Sequence, residues 1–355
     1  MSQRVISLNP DLKKLRDEGY EIEIKKGHLL VHHIPYVNAK REVAFGILVT
    51  PLGDMAGDRT APPSSHVFFF KGEHPCDKQG NILAGIRHES GTKSLAEGVE
   101  IDHSFSNRPP NGYADYYEKV VAYCRIICAE AQAIAPEVSP ETGKVIDSSD
   151  DPDTVFNYFD TNTSRAEIGT ISTKLKSLKI AIVGLGGTGS YVLDFIAKTE
   201  VGEIHLFDED RFLSHNAFRS PGAASIETLR EQPRKVAYHH QTYSKMHKRI
   251  VPHEFNLGES NLEELVGMNF VFICMDRGES KKFIIGKLLE NRIAFIDVGI
   301  GILAVDGSLT GSARTTTVTA SKFDHIESRI PFADGGDDLY AKNIQIAEIN
   351  ALNAA

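Results

Sequence analysis

Gly184, Gly186, Gly187 and Gly189 follow the apolar run Ile180-Ala181-Ile182-Val183 and precede Ser190, a spacing suited to phosphate. Without a Cβ, these positions let backbone N–H groups and the positive end of a following helix dipole approach an anion. Further on, Glu203-Ile204-His205-Leu206-Phe207 ends in Asp208, where an acid about 20 residues after a glycine turn holds a ribose hydroxyl. A hydride-transfer cofactor would need little more. The chain, however, continues with Asp210, Asn216 and Arg219, and Lys235 follows. Donors and cations in that position suit the β- and γ-phosphates of ATP, because they stabilise charge on a departing pyrophosphate. A third apolar run, Asn269-Phe270-Val271-Phe272-Ile273, leads through Cys274 to Asp276, whose carboxylate would reach Mg²⁺ on those phosphates.

These residues require particular elements around them. Ile180–Val183 has the length and β-branched content of a parallel strand covered on both faces. A helix must follow the glycines, with Val192, Phe195, Ile196 and Thr199 at helical spacing and a hydroxyl from Thr188 or Ser190 at its start. Arg292 to Gly299 reads as another strand, with shorter ones through Thr319. Leu339 to Leu352 reads as a last helix with Ile344, Ala347, Glu348 and Ala351 along one face, and the chain stops there without a cap.

From about Ser164 onward the sequence resembles the ThiF/MoeB/HesA superfamily, which includes the adenylation domains of ubiquitin-activating enzymes. The resemblance lies in the glycine turn Gly184 to Gly189, in Asp208 and Asp210 followed by Asn216 and Arg219, in Lys235, and in Asp276. It implies an α/β fold: a Rossmann-like adenylation domain with a mixed sheet over residues 156–355, preceded by a smaller α+β domain over residues 1–155. It also implies ATP and Mg²⁺ as cofactors, with the C-terminal carboxylate of a ubiquitin-like protein attacking the α-phosphate. Gly184, Gly186, Gly187, Gly189, Asp208 and Asp210 would bind the nucleotide; Asn216, Arg219, Lys235 and Asp276 would serve the chemistry, Asp276 as the metal ligand. Family members carry an arginine before the first strand that enters the partner protomer's site. Arg165 occupies a comparable place, so the resemblance implies a homodimer and a conjugating-enzyme-like partner.

The cysteines depart from that pattern. Many ubiquitin-activating relatives take the acyl group on a cysteine downstream of the magnesium aspartate, whereas Cys76, Cys124, Cys128 and Cys274 all precede Asp276. Cys274, inside an apolar strand, reads as a small hydrophobe. The adenylate would then pass directly to a partner's nucleophile, as in sulfur-carrier activation, or an oxygen nucleophile would act, with the run Ser312 to Thr317 as one source. Two alternative functions stay open: adenylation of a sulfur carrier, short peptide or metabolite, and a non-catalytic binding module with a decayed nucleotide site. The presence of Arg219, Lys235 and Asp276 argues against decay.

The first 150 or so residues read as α+β. A short helix over Asp11 to Asp17 precedes two strands paired around Lys26-Gly27, from Tyr20 to Ile24 and from His28 to Ile34. Strands over Phe45 to Val49 and His66 to Phe70 follow, and then a helix near Tyr113 to Ala133 with Tyr116, Val120, Tyr123, Cys124, Ile127 and Cys128 as its apolar stripe. The polar passage Ala135 to Asp153 reads as a linker. Glu73, His74 and Cys76, joined by His88 and His103, would fit a thiol hydrolase site, an acyl acceptor or a zinc site, and equally a buried turn with satisfied histidines. His32 and His33 alternate across a strand, which allows one imidazole to face inward. This domain is similar to uncharacterised domains fused ahead of ThiF-type domains in bacterial ubiquitination-like operons.

Composition sets limits. With 39 basic and 48 acidic residues the 355-residue chain carries −9, which disfavours nonspecific nucleic-acid binding. Four scattered cysteines without a C-x-x-C make no disulfide framework. No long apolar run marks a signal peptide or a membrane span, so cytoplasm is the expected location and no membrane partner is expected.

Overall fold

The computed structural model describes residues 2–53, 55–146, 154–276, 278–332 and 346–355. It divides into two compact units, Met1–Lys174 and Leu175–Ala355.

In the first unit the helix Pro10–Asp17 precedes β1 (Ile22–Lys25) and β2 (His28–Val37). Lys26 and Gly27 join these strands with φ of 49° and 71°, the doubly left-handed turn that matches strand twist. β3 (Val43–Pro51), β4 (Val67–Lys71), β5 (Arg87–Ala96) and β6 (Val99–Ser106) complete an antiparallel sheet in the order β1-β2-β3-β4-β6-β5. The strict alternation expected at His32 and His33 fails. The β2–β3 register shifts between Val31 and Ile34, His33 takes a φ of 57°, and both histidines end half-buried.

The helix Tyr116–Ile134 covers this sheet, its first turn capped where the Asp115 side chain accepts the Glu118 N–H. All six residues of the expected stripe are buried. Each such large apolar side chain contributes roughly 1.5–3 kcal/mol. Lys119 shares the buried face, and its ammonium donates to Thr50 Oγ1 at 2.8 Å and the Val67 carbonyl at 2.9 Å, which offsets the cost of burying it. Residues 135–146 of the expected linker are fastened to this unit, with Gly143 N–H on the Gly19 carbonyl and Gln3 Nε2 on the Ile146 carbonyl. Residues 147–153 lie outside the described residues.

The second unit is built on β7 (Lys179–Val183), β8 (Glu203–Phe207), β9 (Ile250–His253), β10 (Phe270–Ile273), β11 (Ala294–Val305) and β12 (Ser308–Val318). They form one mixed sheet, β9-β8-β7-β10-β11-β12, parallel except for β12. Counted from β7 as the first strand, the order is 3-2-1-4-5-6, so the winding reverses between β7 and β10. In such sheets a crevice opens at the carboxyl ends of the strands flanking that reversal.

Apolar residues of the strands fill two cores, one on each face. Val271, Ile273 and Phe295 pack with Ile284, Ile285 and Leu288 of the helix Gly278–Glu290, while Ile180, Ile182 and Leu206 pack with Val192 and Leu193 of the helix Gly187–Ile196. Phe195, expected in the inward stripe, is exposed, and Thr199 lies beyond the helix end. The last described helix is Ala347–Ala354; the remainder of the helix expected from Leu339, including Ile344, lies outside the described residues. Its inward face carries Asn350 and Asn353 rather than Ala347 and Ala351. No described helix is long and apolar enough to cross a membrane.

Candidate active site

The glycine turn stands at the carboxyl end of β7, on one side of the winding reversal. Gly184 has a φ of +90°, and a Cβ there would lie 2.6 Å from the Cys274 carbonyl oxygen. A Cβ on Gly189 would overlap the Gly184 carbonyl oxygen, and one on Gly187 would overlap the Asn350 amide. These three glycines are therefore fixed by close packing. Gly186 differs: a Cβ there would meet nothing within 4 Å, so the turn is open on that side. Gly186 is also the N-cap of the helix Gly187–Ile196, and no side chain caps it. The hydroxyl cap expected from Thr188 or Ser190 does not form at the N-cap, since both residues lie inside the helix, and Ser190 Oγ donates to the Gly187 carbonyl at 2.8 Å. Among the described residues no side-chain cap closes this helix start at Gly186, an arrangement that fits a phosphate oxygen on the first-turn N–H groups.

The tip of β8 is tied to this turn. Asp208 is buried, and its Oδ2 accepts the Leu185 N–H at 2.7 Å while Oδ1 accepts the Asp210 N–H at 2.8 Å. Lys235, at the start of the helix Lys235–Tyr243, places Nζ 3.4 Å from Asp208 Oδ2 and 2.7 Å from Asp210 Oδ2. Its neighbour Arg234 donates to the Glu209 carbonyl. Lys235 is therefore the cation that points into the acidic pair. Asn216 is buried; its Oδ1 accepts the Leu213 N–H at 2.9 Å, and its Nδ2 has no partner among the described residues. Burial, followed by the charges of Arg219 and Lys235, lowers the His215 pKa, and Asp210 opposes that shift.

Asp276 follows β10 on the other side of the reversal, with its side chain at the surface. Crowding by protein raises its carboxyl pKa, while Lys281 and then Arg219 oppose the rise. It takes no hydrogen bond from the described residues, which leaves a hard anionic oxygen pair suited to Mg²⁺ shared with phosphates. No cluster of three or more metal-binding side chains occurs among the described residues, and Mg²⁺ held mainly by substrate oxygens needs none. Burial pushes the Cys274 thiol up to about 12, so this cysteine is a packing group and a poor nucleophile.

Sequence reasoning missed three residues beside Asp276. Lys281, from the helix Gly278–Glu290, and Asp297, on β11, are both buried, with Nζ 2.8 Å from Oδ1. Arg314, on β12, closes on the same carboxylate through Nη2 at 2.6 Å. The Asp297 signal was an acid interrupting an apolar strand. Lys281 and Arg314 gave no signal, since their meeting depends on strand pairing.

Arg165 is the last residue of the helix Thr161–Arg165; its side chain lies outside the described residues. In the first unit the five residues expected to converge do not assemble as one donor set. Cys76 is buried, its Sγ–H directed at the His74 carbonyl at 3.3 Å, and burial pushes its thiol pKa up. His74 packs edge-on against His103, with centroids 4.9 Å apart, whereas His88 pairs with Ser104 and His103 with Ser90. Glu73 is exposed, and its N–H donates to the Tyr36 hydroxyl.

Residues 159–330 match the ThiF family, and residues 10–161 match the domain of unknown function DUF6791. The chain is similar to ubiquitin-like modifier-activating enzyme 5 of Drosophila virilis, 24% identical over 152 residues, covering 38% of this chain and 37% of that protein. It is also similar to the adenylyltransferase and sulfurtransferase UBA4 of Saccharomyces cerevisiae, 26% identical over 153 residues, covering 41% of this chain and 31% of that protein. The matched stretch thus spans about a third of these curated relatives. Among solved structures, E. coli tRNA N6-threonylcarbamoyladenosine dehydratase, TcdA, aligns with a TM-score of 0.35 at 24% identity, over 41% of this chain and 61% of that one. E. coli MccB with MccA-N7isoASN aligns with a TM-score of 0.42 at 18% identity, over 54% of this chain and 59% of that one.

Proposed function

Residues 159–330 form a ThiF family domain, and on that footing we propose that this chain uses ATP and Mg²⁺ to adenylate a carboxylate. One observation carries the reading: the open, uncapped glycine turn at Gly186 and the acid Asp276 flank the winding reversal from opposite sides. A triphosphate lying across the crevice would meet helix N–H groups on one side and metal-binding oxygens on the other. Mg²⁺, when bound at Asp276, would neutralise phosphate charge. Asn216, Arg219 and Lys235 would supply donors and positive charge to the departing pyrophosphate. Asp208 would hold the ribose edge through whatever acceptor capacity its two backbone donors and Lys235 leave.

In this reading the carboxylate is the C-terminus of a ubiquitin-like protein, activated in a bacterial ubiquitination-like pathway in the cytoplasm. The similarity to proteins named ubiquitin-like modifier-activating enzyme supports that choice. Residues 156–355 would carry the adenylation, as a homodimer with Arg165 reaching across to the partner's site, and a conjugating-enzyme-like partner would receive the product. The role of residues 1–155 stays unassigned. A second reading is adenylation of a sulfur carrier, short peptide or metabolite; burial pushes the Cys274 thiol up to about 12, so Cys274 would not take the acyl group in either reading.

Exchange of labelled pyrophosphate into ATP, measured with candidate carboxylate substrates, tests both. Exchange is expected with a ubiquitin-like C-terminus under the first reading and with a peptide or small acid under the second. If Asp276→Ala and Arg219→Ala leave exchange intact, the assigned chemistry is wrong.

A further inference from the structure

We propose that Arg314, held by Asp297, is the docking group for the substrate's carboxylate, a subsite beside Asp276. The inference rests on the adenylation reading above and adds where the acyl substrate's charged end is seated.

The argument starts with charge. Asp297 is fully buried, with 0% exposure, and an isolated carboxylate there would be untenable. Lys281, itself buried, already neutralises it at 2.8 Å. The guanidinium of Arg314 is then positive charge beyond what Asp297 alone needs, with Asp276 as the other nearby acid, and its side chain is 32% exposed and therefore reachable. Its Nε is buried and has no partner among the described residues, so the guanidinium keeps one unsatisfied donor that a shift of the side chain towards a carboxylate would satisfy.

Position follows from register. Asp297 pairs with Ile273 and Gly299 pairs with Arg314, so Arg314 stands two residues farther toward the carboxyl end of β11 than Asp297. That is the level of Met275, next to Asp276. The Arg314 charge acts on the Asp276 carboxyl, which agrees with this placement. Gly299 makes room for it, because a Cβ there would lie 2.7 Å from Arg314 Nη2.

A planar fork anchored on one side by a buried carboxylate is preorganised to take a second carboxylate. In the reaction, a substrate carboxylate oxygen donates an electron pair to the α-phosphorus. The bond from that phosphorus to the bridging oxygen breaks, and its electron pair leaves on pyrophosphate. No proton is transferred. The carboxylate loses its charge on becoming an acyl phosphate, so the ion pair with Arg314 weakens as the adenylate forms. Arg314 therefore contributes mainly to binding of the free acid. Lys281 and Asp297 act as positioning residues through it.

The test uses the full chain, isotopically labelled, with glycylglycine as the probe acid and glycylglycine amide as its uncharged control. The Arg314 Nε–H resonance, assigned by its loss in Arg314→Lys, is followed through both titrations. The expected result is a shift with the acid alone. Binding of the acid should weaken roughly tenfold to a hundredfold in Arg314→Ala and partly recover in Arg314→Lys. ATP affinity, measured by calorimetry on the same samples, should stay unchanged, and thermal melting should confirm that the variants are folded. Equal response to acid and amide, no response to either, or parallel loss of ATP affinity would overturn the proposal. A wild-type chain that binds the acid but no ATP would sink the adenylation reading and leave the subsite standing.

Discussion

Lys235 Nζ lies 2.7 Å from Asp210 Oδ2, and this contact joins the start of one helix to the loop after β8. The same ammonium is 3.4 Å from Asp208, so one cation serves two acids at the edge of the crevice. With a triphosphate bound, Lys235 would share that charge with phosphate oxygens. Lys235→Met should reduce pyrophosphate exchange roughly 100- to 1,000-fold, the usual cost of removing one preorganised donor. Lys235→Arg should retain part of it. An unchanged exchange rate in the Met variant would remove Lys235 from the phosphate site.

Gly189→Ala should be more damaging than a helix-position change normally is. Its new Cβ would overlap the Gly184 carbonyl oxygen, and both partners are backbone, so the turn itself must move. A stability loss of about 1–3 kcal/mol in urea unfolding is expected, together with loss of ATP binding by calorimetry. Gly186→Ala, where a Cβ meets nothing, should cost little stability yet still weaken ATP binding by occupying the open side. Equal stability effects at the two positions would refute this distinction.

Asp276 carries a raised pKa, caused first by desolvation and opposed by Lys281 and Arg219. Between the ordinary carboxylate range and that raised value, the folded state binds more protons than the unfolded state. The stability contribution is therefore present at low pH and lost as pH rises through the folded pKa. Asp276→Asn removes this cost and should raise the melting temperature at neutral pH only slightly, because the side chain reaches solvent, while lowering Mg²⁺-dependent exchange by roughly two orders of magnitude. In the wild type, exchange should fall as acid protonates Asp276, at a pH above that of an ordinary carboxylate. A variant that melts lower and keeps its exchange would contradict both halves.

His239, buried in the helix Lys235–Tyr243, has its pKa lowered to about 3 by burial and then by the Lys235 charge. Unfolded, it titrates near the ordinary histidine value of about 6.5. Between those two values the unfolded state binds the extra proton, so stability falls as pH drops below about 6.5, by at most about 1.4 kcal/mol per pH unit. His28, His74 and His247 are shifted in the same direction, so the comparison must be with His239→Phe. That variant should show a flatter decline in urea-derived stability from pH 6.5 downward. Identical slopes would mean that His239 is solvated or charged in the folded state.

Local signals carried most of the architecture. The glycine turn, the buried runs of β7, β8 and β10 and the stripe from Tyr116 to Cys128 each sit where period and composition place them. The hairpin of β5 and β6 was not legible, because Arg87 to Ser94 are exposed polar residues of an edge strand with three register shifts and show no alternation. His33 was misread for a related reason: a left-handed residue inside a strand resets which face each neighbour occupies. Cys76 looked reactive beside histidine and glutamate, but burial decides thiol reactivity and burial is not a local property.

The sequence by itself determined which residue types stand at the proposed site: a glycine turn at Gly184 to Gly189, acids at Asp208 and Asp276, and Asn216, Arg219 and Lys235 between them. Those assignments depend on residue type and on spacing within single strand–turn–helix segments. Only the tertiary structure decided that Gly186 is the open face of the turn and that Lys235 rather than Arg234 faces the acids. It alone joined Lys281, Asp297 and Arg314, which come from a helix and two strands. A contact across a sheet is set by register and packing between segments far apart in the chain, and no short-range pattern encodes that distance.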